Sequence, residues 1–222
     1  MNFSKKLMFS KFVAGVVLVF GAQTAMADAF GLANGRSANM DNMAGLSAEV
    51  GYTIGDISTL GLRVNFKVTP DLMVFGDLGQ TELGDGPFDL DGQSFGIGAF
   101  YQLRTVSLME NTDMAVKVSY HTLSIEEAGC ETFQGFGTVC DVDAGDITEL
   151  AIDGIISGDQ LSNTNFGWYG SLGMHMFDGD GGDENELAIG GGVVGDLGFG
   201  QWYGGLELID ELLIRLGVRY NF

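Results

Sequence analysis

The chain has 222 residues, 30 acidic and 10 basic, and carries a net charge of −20. So acidic a chain offers no basic stripe for phosphates, which excludes nucleic acid as a partner. Its 36 glycines and 16 phenylalanines against 2 prolines make a strand- and turn-rich composition, unlike that of a disordered segment.

Lys5, Lys6 and Lys11 precede an apolar run over 12–22, which Ala25-Met26-Ala27 follows. A basic head, a short apolar run and an A-x-A ending describe a secretory signal peptide over 1–27, cleaved after Ala27. The run falls short of the roughly 20 residues that a membrane helix needs, and no later stretch is apolar enough for one. Removing three basic residues and no acidic one leaves the mature chain at −23. Residues 28–45 show no clean alternation. A periplasmic tail, a plug and a strand partner all remain open for this extension.

From residue 46 onward, side-chain polarity alternates with a period of two, the signature of strands with one apolar and one polar face. Ten segments follow: 46–54, 58–69, 72–81, 93–103, 114–125, 146–156, 164–177, 186–196, 199–209 and 211–222. Most match the roughly 9–11 residues of a tilted membrane strand. In the second, Leu60, Leu62, Val64, Phe66 and Val68 alternate with Gly61, Arg63, Asn65 and Lys67. The segment 186–196 is the weakest, because Gly190-Gly191-Gly192 leaves little pattern to read. If two weak segments fused or dropped out, eight strands would remain.

The last segment is the most informative. Leu212, Ile214, Leu216, Val218, Tyr220 and Phe222 are apolar at every second position, with Arg215, Gly217, Arg219 and Asn221 between. Alternation running to a terminal aromatic resembles the closing strand of small bacterial outer-membrane β-barrels of the OmpA-like and opacity-type porin families. In that superfamily the pattern polar-x-Gly-x-x-aromatic-x-aromatic is the assembly signal, and Arg215, Gly217, Tyr220 and Phe222 fill it. The resemblance implies an all-β fold over 46–222, an antiparallel transmembrane β-barrel of ten strands with eight as the alternative. It also implies location in the bacterial outer membrane, with lipid, lipopolysaccharide and the barrel-assembly machinery as partners.

With both ends in the periplasm, Phe66, Tyr101, Phe166, Trp168, Trp202, Tyr220 and Phe222 point to lipid near periplasmic ends, as an aromatic girdle does. The connections 82–92, 126–145 and 178–185 lie outside the cell, and 104–113 and 157–163 are long periplasmic turns. The external connections are acidic. Asp178-Gly-Asp180-Gly-Gly-Asp183 has the one-three spacing of a calcium loop but departs from the EF-hand order. No cofactor is expected beyond weakly held Ca²⁺ or Mg²⁺, and a solvated acidic rim accounts for the same residues. Cys130 and Cys140 lie in one external loop of an exported chain, where a disulfide is expected.

A barrel turns the polar strand face to its lumen. Six basic residues, Arg63, Lys67, Arg104, Lys117, Arg215 and Arg219, are assigned to that face or its register, together with Glu49, Asp77, His121, Glu149, Asp153 and Glu207. Buried charges must be paired or hydrated, so these form either a charge-paired plug or a narrow solute pore. Catalysis is disfavoured. Lipid A deacylases use a His and a Ser on one strand, whereas the spacing of His121 and Ser124 sends them to opposite faces. His175 with Ser171 and nearby Asp178 and Asp180 is a faint echo of an omptin-type protease. The function expected is that of a non-enzymatic outer-membrane barrel, structural or porin-like. A surface protein engaging cations or lipopolysaccharide through its acidic loops is the alternative.

Overall fold

The computed structural model describes residue 32 and residues 37–41, 43–55, 57–83, 90–106, 108–109, 111–125, 131–133, 137–139, 145–158, 166–179, 182–209 and 211–222. The strands are β1 (Leu46–Ile54), β2 (Ile57–Thr69), β3 (Leu72–Leu83), β4 (Leu90–Gln102), β5 (Asp113–Ile125), β6 (Glu131–Phe133), β7 (Gly137–Val139), β8 (Asp146–Gly158), β9 (Phe166–Gly179), β10 (Gly182–Asp196), β11 (Gly200–Ile209) and β12 (Glu211–Asn221). Strands β6 and β7 pair only with each other, as a small hairpin between β5 and β8. The other ten close into one antiparallel barrel, so the count is ten and the alternative of eight falls away.

Closure joins the two ends of the barrel sequence. Strand β1 pairs with β12 from Ser47↔Asn221 to Ile54↔Ile214, and the Phe222 amide donates to the Leu46 carbonyl at 3.1 Å. With no edge left, each of the ten barrel strands has two hydrogen-bonded neighbours, the condition for spanning a membrane with sheet.

Alternation decides what faces outward. Val50, Leu62, Leu78, Ile97, Val118, Ile152, Leu172, Ile189, Leu206 and Leu216 are exposed, one from each barrel strand. An apolar belt running round the whole circumference would be an aggregation surface in water and is the stable arrangement in hydrocarbon. At the end that holds Phe222, called proximal below, Phe166 and Trp202 meet edge to face at 5.7 Å. Tyr220 lies 5.8 Å from Phe199 and 5.0 Å from Phe222. The girdle is present, although Trp168 and Trp202 are half-buried rather than exposed.

Three sequence expectations need correction. The weak segment 186–196 is a strand as expected, and only its start is corrected: β10 begins at Gly182 and at 15 residues is the longest strand. Its glycines read as patternless because their neighbours fill the space. The side-chain position of Gly192 is taken by the Tyr169 hydroxyl and the Gly204 carbonyl. The long external connection 178–185 does not exist. Strands β9 and β10 pair continuously from Gly195↔Phe166 to Gly182↔Gly179, and Gly182, at φ +116°, turns the chain in the left-handed region that favours glycine. Strand β4 starts three residues early, which shortens the connection over 82–92. The connection expected over 104–113 joins β4 to β5 at the proximal end, and most of the one expected over 157–163 lies outside the described residues.

Candidate functional site

The lumen is built in layers, legible along the inward face of β5: Ala115, Lys117, Ser119, His121 and Leu123, all buried. Apolar residues stand at both ends of this row and polar ones in the middle. At the proximal end Met73, Phe100, Ala115 and Ile155 cluster with Ala38 and Met40. At the far end Leu123 packs with Phe177, and Ala188 with Ile209 and Leu213.

The middle layer is one continuous ionic chain. Arg63 on β2 grips Asp77 on β3 through two parallel bonds, Nε to Oδ1 at 2.6 Å and Nη2 to Oδ2 at 2.7 Å, the strong bidentate geometry. Its guanidinium also lies 4.3 Å above the Phe75 ring centre, within cation–π range. His121 Nε2 lies 3.0 Å from Asp77 Oδ2, and His121 Nδ1 lies 3.5 Å from Glu149 Oε2. Glu149 Oε1 is 2.6 Å from His175 Nδ1, and His175 Nε2 is 3.2 Å from Asp153 Oδ1. Lys117 Nζ closes the chain on Asp153 Oδ2 at 3.0 Å.

Two glycines make this connection possible. Strand β4 lies between β3 and β5, and a side chain at Gly96 would collide with the His121 ring. The absence of one lets that ring reach across β4 to Asp77. Gly173, opposite Asp153 in the ladder, would likewise collide with the Asp153 carboxylate.

A second group occupies the seam where the barrel closes. Arg219 Nε donates to Glu49 Oε1 at 2.8 Å and its Nη1 to Gln201 Oε1 at 2.6 Å. Asn65 donates to the same Glu49 oxygen at 2.7 Å. Arg215 Nε lies 2.7 Å from Glu207 Oε2. The structure thus brings Glu49, Arg63, Asp77, Lys117, His121, Glu149, Asp153, Glu207, Arg215 and Arg219 inside, as expected from alternation.

Lys67 is half-buried at the proximal mouth. Arg104 corrects the expectation. It follows β4 in the turn and binds Asp41, Asp71 and the Pro70 carbonyl at the exposed rim. Those bonds, Asp41 first, raise the Arg104 pKa, and the bond from Arg104 holds Asp41 below the usual carboxylate range.

Among the described residues of the extension 28–45, Leu32, Ala38 and Met40 are buried against the inner wall of the barrel, while Asp41 is exposed at the rim. Leu32 is buried and fills the side-chain positions of Gly51 and Gly61, and its carbonyl accepts from Arg63 Nη2 at 2.9 Å. The Ala38 amide donates to Ser157 Oγ at 2.7 Å and the Met40 amide to Gln102 Oε1 at 3.0 Å. Lys67 Nζ donates to the Met40 carbonyl at 2.6 Å. No periodicity marked this segment, because its contacts are made one residue at a time against different strands.

The catalytic echoes do not assemble. Ser124 is exposed and His121 buried, on opposite faces of β5. His175 points inward and Asp178 outward. Asp178 stands opposite Asp183 in the β9–β10 ladder, both exposed, so the spacing read as a calcium loop is strand. Asp180, Cys130, Cys140 and residues 1–27 lie outside the described residues. So does most of the acidic connections, and the assembly signal remains a resemblance. Tyr169 and Tyr203, buried in the lumen against glycines of neighbouring strands, escaped the sequence reading. The signal available was the glycine pairing, which needs the register.

No family model and no curated protein matches the chain. Among solved structures, the β domain of the Bordetella autotransporter BrkA is similar at TM-score 0.53 and 14% identity, covering 82% of this chain and 100% of that one. The translocator domain of the autotransporter NalP from Neisseria meningitidis aligns at TM-score 0.47 and 13% identity, over 83% and 91%. The KdgM porin aligns at TM-score 0.41 and 11% identity, over 79% and 99%. The likeness to the BrkA domain is one of fold: a closed antiparallel barrel.

Proposed function

We propose that the protein is an integral outer-membrane β-barrel, non-enzymatic and closed at rest, whose lumen is sealed by its own N-terminal segment. The observation that carries this reading is the position of Leu32 and residues 37–41. Residues 37–41 lie at the proximal mouth, bonded to Lys67, Gln102 and Ser157, and Leu32 reaches deeper, with its carbonyl on Arg63 and its side chain against Gly51 and Gly61. The ionic chain crosses the lumen above residues 37–41 and touches Leu32 at Arg63, between two apolar layers. An open porin needs a hydrated path, and charges that satisfy one another across a small barrel fill the space that water would use. The apolar belt and the proximal aromatic girdle support residence in a bilayer, and the terminal pattern Arg215, Gly217, Tyr220 and Phe222 supports delivery by the barrel-assembly machinery. The role is structural, a porin-like wall with its passage blocked.

Glu82, Asp146, Asp178, Asp183 and Glu184 are exposed at or near the far end. This favours a secondary role in which loosely held Ca²⁺ or Mg²⁺ bridges the rim to lipopolysaccharide phosphates. The test is conductance of the refolded protein in planar bilayers. Silence, with rare brief openings, is expected at moderate voltage. A steady open channel would overturn the closed reading and make the protein a narrow porin.

A further inference from the structure

We propose that the lumen holds a specific site for one divalent transition-metal ion, Zn²⁺ by preference, formed by Asp153, His175 and Glu207. These residues come from β8, β9 and β11, and one donor atom of each lies within 4.8 Å of the others, all three buried. The site is separate from the exposed carboxylates at the far end.

Three observations point to a ligand there. Glu207 Oε1 is buried and has no hydrogen-bond partner in the structure, leaving a carboxylate oxygen without the partner that burial demands. His175 Nε2 and Asp153 Oδ1 are 3.2 Å apart, close to the roughly 3.3 Å between two ligands of a tetrahedral ion with bonds near 2.0 Å. The other His175 nitrogen lies 2.6 Å from Glu149, the carboxylate contact that orients a metal-bound imidazole.

The donor chemistry decides the class of ion. One imidazole nitrogen with two carboxylates suits Zn²⁺ better than Ca²⁺, which takes oxygen alone. The surrounding charge permits it. Glu149, Asp153 and Glu207 face Lys117 and Arg215, and Glu186 stands opposite His175 in the β9–β10 ladder, an excess of two carboxylates around the imidazole. In the metal-free protein both nitrogens of His175 face carboxylate oxygens, so each is placed to donate a proton. The ion takes the place of the Nε2 proton, which leaves to solvent, as metal binding to such ligands requires. Lys117 competes with the ion for Asp153.

The test uses the full-length barrel refolded in detergent free of metal, with Zn²⁺ and Co²⁺ as probes. After gel filtration, elemental analysis is expected to find one Zn²⁺ per chain. Co²⁺ is expected to give the visible absorption of a four-coordinate nitrogen–oxygen site, and titration in weak buffer should release about one proton per ion. E207Q and H175Q should each weaken binding about tenfold or more. K117M should tighten it, and the D178N/D183N pair should leave it unchanged. Heat-modifiable mobility on gels reports whether each variant is folded; should H175Q fail to fold, E207Q and the Co²⁺ spectrum of the parent decide. Three results would overturn the proposal: no retained metal in the parent, retention unaltered by E207Q, or retention lost only with Asp178 and Asp183.

Discussion

Replacing Asp77 with Ala removes the carboxylate that holds both Arg63 and His121. The Arg63 and Asp77 side chains are 1% and 3% exposed, so the guanidinium left behind faces no bulk water. Breaking one side of a buried pair costs about 3–5 kcal/mol, because the surviving charge stays desolvated and unpaired. Small barrels admit some water, which places the expected loss near the lower end, about 3 kcal/mol. Replacing both partners, Arg63→Met with Asp77→Leu, removes the charge together with its penalty and is often neutral. The residual cost should be about 1–2 kcal/mol, from the lost bonds of Arg63 to the Leu32 carbonyl and of His121 to Asp77. Urea unfolding of the barrel in lipid vesicles, followed by Trp168 and Trp202 fluorescence, measures both. A single variant within 1 kcal/mol of the parent, or a double variant as unstable as the single one, would show that the ionic chain does not hold the lumen together.

Four further outcomes follow from named contacts. Gly96→Ala drives a methyl group into the His121 ring and should cost about 1–3 kcal/mol as overpacking, with the His121 resonances shifted in NMR spectra; an unchanged ring would refute the account of how β4 is crossed. Deleting Phe222 removes the amide bonded to Leu46 and the ring beside Tyr220, and should lower the yield of heat-modifiable, membrane-inserted protein; equal yields would count against the assembly reading. Cys130 and Cys140 immediately flank the β6–β7 hairpin, whose outermost described pair is Glu131↔Val139. They should form a disulfide that constrains the loop by roughly 2–3 kcal/mol while barrel stability stays unchanged, and two alkylatable thiols in protein from oxidising conditions would refute this. Asp41 has its pKa lowered from an ordinary 3.8 by the hydrogen bond from Arg104, so that tie is complete above the ordinary value and is lost as pH falls through the depressed one. Amide protection near Asp41, taken relative to the intrinsic exchange rate at each pH, should therefore fall only in acid, and a fall already near neutrality would show that another group sets it.

Much of this protein was legible in the chain before it folded. Whether a side chain in a strand points inward or outward depends on odd or even position alone, a local property of the backbone. Arg63, Asp77, Lys117, His121, Glu149 and Arg215 therefore announced themselves as lumenal, and Val50, Leu62 and Ile214 as lipid-facing. Arg104 was misread because it lies two residues beyond the end of β4, where the chain turns and parity no longer tells inside from outside. Asp178 and Asp183 were misread for the converse reason: clustered acid and glycine look like a loop, yet the two-strand ladder runs through them to Gly179 and Gly182.

What alternation does not contain is which inward residues stand at the same height on strands distant in sequence. That depends on the register of every ladder and on the stagger with which the sheet closes. Asp77, His121, Glu149, His175 and Asp153 become one chain only after β3, β4, β5, β8 and β9 are aligned, and only because Gly96 and Gly173 leave room. Leu32, Ala38 and Met40 belong to no period because each meets a different part of a finished wall. Leu32 finds its place between Gly51 and Gly61, and that cavity exists only once β1 and β2 are paired and the barrel is closed.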